Sequence, residues 1–316
     1  MNADITVIGA GVVDVLVGSA DEKILSNHST PMDFIKISFG GDALNEAVVL
    51  SRLGKRVQWI SKVGDDVAGH RILSYAVENE LDIKHVEVQP SLETAVNIVL
   101  VDSEGERHFL TNPRSSLRRL TEEDIPPVDE MAPIVSFASM FVSPPLDVPA
   151  MTRLFKEIKA SGRILAVDAT RAKNGETLDD LAELLPCVDY FMPNESELAT
   201  LTGSVDVYEN LSALIDRGVK CAVVKRGGKG CVIAQRDELT KIRAYAVERV
   251  VDTTGAGDCF AAGFLWALSE KIPINECGRF ACAAASCSVE HVGATNGVTS
   301  LAQVMERYKY FRTDLS

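Results

Sequence analysis

A chain of 316 residues, 46% hydrophobic and 24% charged, has the balance of a globular protein with a substantial core. A net charge of −13 repels phosphate backbones and anionic lipid, which argues against nucleic acid and membrane surfaces as partners. No stretch reaches the ~18 uninterrupted apolar residues of a membrane span, and the start of the chain lacks the features of a signal peptide.

In chain order, residues 4–13 read as a strand. Residues 43–53 carry a helical pattern that stops at Gly54, a natural helix end. A strand over 57–63 and a helix over 71–79 follow. Residues 15–39 show no clear helix, and 94–110 read as a hairpin, with strands at 96–101 and 107–110 about the turn Asp102-Ser103-Glu104-Gly105-Glu106. Beyond it come a strand (134–138), a helix (151–160), a strand (164–168), a helix (178–184), a strand (189–192), a helix (207–216) and a strand (221–225). This alternation predicts a mostly parallel sheet with helices on both faces, which binds ligands beyond the carboxyl ends of its strands. The antiparallel insertion predicts a small second sheet. Placed over the strand ends it is a lid that excludes water; placed elsewhere it is a surface hairpin.

The seven cysteines (187, 221, 231, 259, 277, 282, 287) are odd in number and form no C-x-x-C pair. They read as reduced, mostly buried thiols of a cytoplasmic protein. The five histidines show no metal-binding spacing. Val7-Ile8-Gly9-Ala10-Gly11-Val12-Val13-Asp14 imitates a dinucleotide fingerprint, but Asp14 replaces the third glycine and β-like residues follow it.

The densest chemical signal is Asp252-Thr253-Thr254-Gly255-Ala256-Gly257-Asp258, between a β-type run at 250–251 and an apolar helix over 260–268. Small residues let backbone amides face a ligand, and amides at a helix start favour an anion. Gly255, Ala256 and Gly257 therefore suit the charge on a transferring phosphate, and Asp258 is placed to take a proton from an attacking hydroxyl. Alone, the same residues describe a glycine turn and a helix cap.

Together with Gly40-Gly41-Asp42-Ala43-Leu44-Asn45-Glu46-Ala47 early in the chain, this turn resembles the two signatures of the ribokinase-like (PfkB) carbohydrate kinases. The resemblance implies an α/β fold: a three-layer α/β/α sandwich with a mostly parallel central sheet and a small β-sheet lid. It divides the chain into a core (1–14, 40–93 and 111–316) and a lid (15–39 and 94–110). It makes Asp258 the catalytic base and Gly255 to Gly257 the anion hole, with Asp14, Gly40, Gly41 and Asn45 on the sugar hydroxyls. Asn194 and Glu197, in Asn194-Glu195-Ser196-Glu197, would organise Mg2+ through water, although a capped helix start looks the same. Lys225, Gly227 and Gly230 match the nucleotide loop for ATP. Asp252 and Thr254 match residues beside a monovalent-cation (K+) site, with carbonyls near Ser288, His291, Gly293 and Gly297 completing it.

The acceptor is less legible. Where ribokinases carry an acid, Met140-Phe141-Val142-Ser143-Pro144-Pro145 has none. Asp168-Ala169-Thr170-Arg171 partly matches the corresponding element of fructokinase and ketodeoxygluconate kinase branches, which makes Arg171 a substrate contact, and Arg114, after the hairpin, suits an acidic or phosphorylated sugar. The expectation is ATP-dependent phosphorylation of a ketohexose such as fructose, or of a related sugar or sugar acid. Ribokinase activity, nucleoside kinase activity and a catalytically silent sugar sensor are the alternatives. Apolar lid residues suggest a homodimer formed through the lid.

Overall fold

The computed structural model describes residues 3–18, 21, 24, 26–102 and 107–313, so four of the five residues expected to form the 102–106 turn lie outside the described residues. The chain runs through β1 (Ile5–Ile8), β2 (Val12–Gly18), β3 (Ile35–Gly40), α1 (Asp42–Arg52) and β4 (Val57–Gly64). Then come α2 (Val67–Glu78), β5 (Val86–Gln89), β6 (Val96–Val101) and β7 (Arg107–Leu110). Alternating elements follow: β8 (Ile134–Met140), α3 (Val148–Ala160), β9 (Ile164–Ala169), β10 (Tyr190–Phe191), α4 (Glu195–Thr202), α5 (Val207–Asp216) and β11 (Cys221–Lys225). The hairpin β12 (Cys231–Gln235) and β13 (Glu238–Ile242) leads to α6 (Ala256–Ser269), α7 (Ile274–Ser288) and α8 (Leu301–Thr313).

Nine strands form the main sheet in the order β13-β12-β11-β10-β9-β8-β1-β4-β5. The pairs from β5 to β11 are parallel, and β12 and β13 add an antiparallel edge. β1, β4 and β8 are buried along their whole lengths, as strands covered by helices on both faces must be. One face packs against α1, α2 and α6–α8 around Trp59, Phe264 and Phe280. The other packs against α3–α5 around Phe155, Phe191 and Leu211. The connections reverse direction between β1 and β8, and in such sheets ligands bind at this point, beyond the carboxyl ends of the strands.

The second sheet has the order β3-β2-β6-β7, with β2 and β6 parallel and the outer pairs antiparallel. Strand alternation puts Ser38, Asp14, Asn97 and Arg107 on one face. Ile37, Val15, Ile98 and Leu110 form a row across the other.

Three expectations about elements are corrected. Residues 4–13 are two strands, because Gly9 turns the chain (φ 148) from the main sheet into the small one. Residues 178–184 form tight turns: Leu181 N donates to Leu178 O and Leu184 N to Leu181 O, and Pro186 blocks helical extension. Residues 250–251 are not a strand; Val251 N donates to Val289 O in an irregular loop.

Candidate active site

α6 starts on Gly255, whose φ of 70 lies in the left-handed region. A Cβ there would stand 2.4 Å from the Ala294 carbonyl oxygen, so the turn requires glycine. The Ala256 amide is turned back onto Thr253 O at 3.2 Å. The amides of Gly255 and Gly257 donate to no protein acceptor among the described residues. Two of the three expected anion-hole donors are thus available at a helix start. Lys225 adds a full charge: a Cβ on Gly257 would lie 3.5 Å from its Nζ.

Asp258, in the first turn of α6, accepts a 2.7 Å hydrogen bond on Oδ2 from Asn45 Nδ2 of α1. Burial first, then the nearby Asp42 carboxylate, push the Asp258 pKa well above the usual range, while Asn45 and Lys225 oppose the rise. The result is a carboxylate more basic than an exposed one. Asn45 Oδ1 is buried without a partner, which leaves it free to accept from an incoming hydroxyl.

From Asn45 the polar path runs to Asp14. A Cβ on Gly40 would lie 2.8 Å from Asp14 Oδ2 and 3.9 Å from Asn45 Oδ1, so glycine keeps the space between them open. Asp14 Oδ1 accepts from Asn97 Nδ2 at 2.9 Å. Gly41, with φ 95, passes so close to Ala10 O that a Cβ would sit 2.6 Å from it. Asp14, Gly40, Asn45 and Asp258 therefore surround one place, although the sequence spreads them over more than 240 positions.

Lys225 forms an ion pair with Asp168 at the end of β9. Burial raises the Asp168 pKa to about 7 against the pull of Lys225. Burial works to lower the Lys225 pKa, but the Asp168 and Glu197 carboxylates outweigh it and hold the lysine charged. Asn194 and Glu197 do form the capping box that the sequence also allowed: Asn194 Oδ1 accepts from Glu197 N, and Glu197 Oε2 from Asn194 N. Both line the cleft as well, and Glu197 Oε1 is not used by the box. Glu197 Oε1 fits a water-mediated contact to Mg2+, whereas Asn194 Oδ1 already accepts from Ser196 N, Ser196 Oγ and Glu197 N.

The cleft encloses about 480 Å3. Asp42, Asp168, Lys225, Gly257 and Asp258 line its polar end. Gly227 and Gly230, both with positive φ, lead to a more apolar end at Tyr245, Val247, Val250 and Val289. A larger hollow, about 930 Å3, lies at the amino ends of the strands, where Arg56 pairs with Asp4 and Lys84 with Glu130.

Other expected residues sit elsewhere. Arg114 and Arg171 are exposed and do not line the cleft. Asp252 and Thr254 flank the turn, with Thr254 N donating to Asp252 Oδ1 at 2.9 Å. Sequence reasoning missed Asp42, whose Oδ2 accepts from Ser139 Oγ, and Arg107, which reaches Asp252 from the small sheet at 2.6 Å. Asp42 stood inside the early signature. Arg107 had no local signal, since its partner lies 145 positions away.

The sequence model described as pfkB family carbohydrate kinase matches residues 3–301. Ribokinase of Haemophilus influenzae is 29% identical over 287 residues, covering 86% of this chain and 87% of that protein. Deoxyribokinase of Salmonella typhi is 26% identical over 309 residues, covering 96% and 98%. Ribokinase of Arabidopsis thaliana, solved with ribose and ATP, superposes with a TM-score of 0.82 at 23% identity, over 98% of this chain and 99% of that one.

Proposed function

The chain belongs to the pfkB family of carbohydrate kinases, and on that footing we propose that it moves the terminal phosphoryl group of ATP onto a hydroxyl of a free furanose sugar. The nucleotide lies along the cleft with its base at the Tyr245–Val250 end and its phosphates at the α6 turn. The sugar sits among Asp14, Gly40 and Asn45. Its hydroxyl oxygen attacks the terminal phosphorus, the bond to the ADP oxygen breaks, and the hydroxyl proton passes to Asp258. The Gly255 and Gly257 amides and Lys225 stabilise negative charge on the phosphoryl oxygens as it redistributes. Mg2+, held through water by Glu197 beside Asn194, would neutralise phosphate charge.

The observation that supports this reading is the Asn45–Asp258 hydrogen bond, which joins the residues about Asp14 and Gly40 to two amides that donate to no protein acceptor among the described residues. On the acceptor, Arg114 and Arg171 are exposed and outside the cleft, and Asp168 lines it but is paired with Lys225, so nothing there selects a ketohexose or sugar acid. Pentoses of the ribose type suit it equally. The test is ADP formation over a panel of pentoses, ketohexoses, sugar acids and nucleosides, with and without Mg2+. Turnover should require Mg2+ and one sugar, and Asp258→Asn should lower kcat by at least about 100-fold with nucleotide affinity little changed. Near-normal turnover in that variant rejects the base. Sugar binding without any turnover selects the silent sensor.

The small sheet, expected over 15–39 and 94–110, fits the role of a lid on the core formed by 1–14, 40–93 and 111–316. Its Asp14 and Asn97 face the sugar pocket, and its strand β2 begins somewhat earlier, at Val12. The opposite, apolar face fits a second copy of the chain.

A further inference from the structure

The turn before α6 was expected to sit beside a potassium ion held by Asp252 and neighbouring carbonyls. The residues present do not fit one. Asp252 is buried, and both carboxylate oxygens are already engaged. Oδ2 accepts from Arg107 Nη2 at 2.6 Å and from Gly293 N at 2.8 Å, and Oδ1 accepts from Thr254 N at 2.9 Å. Of the carbonyls expected to complete a site, Ser288 O accepts from His291 N and Gly297 O from Gln303 Nε2, while those of His291 and Gly293 accept from no donor among the described residues, so it is the carboxylate that is withheld. A potassium ion needs a carboxylate and several open oxygens, and here a guanidinium holds that carboxylate.

Arg107 comes from β7 of the small sheet, on the same face as Asp14 and Asn97. Its side chain is only 20% exposed. It is permanently charged, and its planar fork is more rigid than a hydrated ion. Its charge also reaches the sugar pocket, where it pulls against the rise that burial imposes on the Asp14 pKa.

We propose that Arg107 replaces the monovalent cation: the small sheet, in closing, delivers the positive charge that fixes the 252–257 turn, so that turn geometry is set by lid closure and not by potassium. This rests on the kinase reading above and adds to it a positioning residue that touches neither phosphate nor sugar. It predicts that the anion-hole amides of Gly255 and Gly257 are correctly aimed only when the lid is down, which ties phosphate binding to sugar binding.

The test compares the full-length wild type, Arg107→Gln and Arg107→Lys in potassium chloride and in choline chloride at equal ionic strength. Two quantities are measured: thermal melting without ligands, and ADP formation with the acceptor found in the panel. Wild type should be indifferent to the cation, within about twofold in kcat. Arg107→Gln should lose at least about tenfold in kcat in choline, and potassium should restore part of that loss and raise its melting temperature. Arg107→Lys should fall between. Activation of wild type by potassium beyond about fivefold overturns the proposal, as does unchanged kcat of Arg107→Gln in choline. Loss of activity with no potassium response in either readout makes Arg107 a structural tether only, and equally overturns it. If Arg107→Gln fails to fold, wild-type indifference and Arg107→Lys still decide. If no acceptor supports turnover, the kinase reading fails, while the melting comparison still tests the exchange of guanidinium for metal ion.

Discussion

Glu46 follows Asn45 on α1, but its side chain points into the core, 1% exposed, with Oε1 lacking a partner. Burial raises its pKa to about 8, with Asp168 and Asp258 adding to the rise and the neighbouring Ser136 and Lys225 opposing it. The folded chain therefore holds a proton that the unfolded chain releases above its ordinary 4.5. This contribution is fully present below that pH and is lost progressively as pH rises to about 8. Glu46→Gln should flatten the profile. Its unfolding free energy should match wild type near pH 4.5 and exceed it near pH 8, by a difference on the order of a few kcal/mol. Parallel profiles for the two proteins would remove the buried titration. The sequence showed Glu46 only as part of a signature, because burial of one helix position depends on what the rest of the chain brings against it. Asp258, Asn45 and Asp14 were legible one by one for a different reason: their residue types and motif positions carry the chemistry directly. Arg107 was not, because guanidinium and carboxylate meet only through the pairing of β6 with β7.

Helix starts and turns were the most readable elements. Gly54, Asn194 and Gly255 each mark an end that residue type alone dictates, and the helix at 207–216 and the strands at 96–101, 107–110 and 221–225 fall where periodicity placed them. The segment 178–184 misled because leucines at helical spacing also fit successive tight turns, and Pro186 sits just beyond. The α6 start allows a controlled comparison of two glycines. Gly54 has φ 87 with nothing within 4 Å of an added Cβ, whereas Gly255 meets backbone. Gly54→Ala should cost about 1 kcal/mol of backbone strain and leave kcat intact. Gly255→Ala must also shift the Ala294 segment or its own amide. It should cost about 1–3 kcal/mol and reduce kcat at least tenfold. Chemical denaturation and steady-state kinetics of both variants check this, and equal effects on kcat would mean that the Gly255 amide does not aim at phosphate.

At the scale of the whole molecule, the small sheet turns Asp14, Asn97 and Arg107 toward the core, beside the buried Leu16 and Val99, and leaves an apolar row on the other face. On that outer face Ile37 is 70% exposed, Ile98 41% and Leu110 54%. Such a contiguous row is a place for another protein surface, and a second copy of the chain is the occupant proposed above. Ile37→Lys with Ile98→Lys should halve the mass seen by sedimentation and leave the melting of the core unchanged. A wild-type chain that sediments as a monomer at micromolar concentration would dismiss the dimer. By itself the sequence determined the alternating architecture, the glycine turn with its acid, and the division into a parallel core and an antiparallel insertion. These follow from local periodicity, backbone permission at glycine, and side-chain chemistry, all encoded within short windows. Only the tertiary structure decided which amides stay unpaired, that Glu46 is buried, that Arg114 and Arg171 stand apart from the cleft, and that Arg107 claims the Asp252 carboxylate. Those outcomes depend on contacts between distant segments, where hydrogen-bond geometry and loss of water set the energy, and no short window contains both partners.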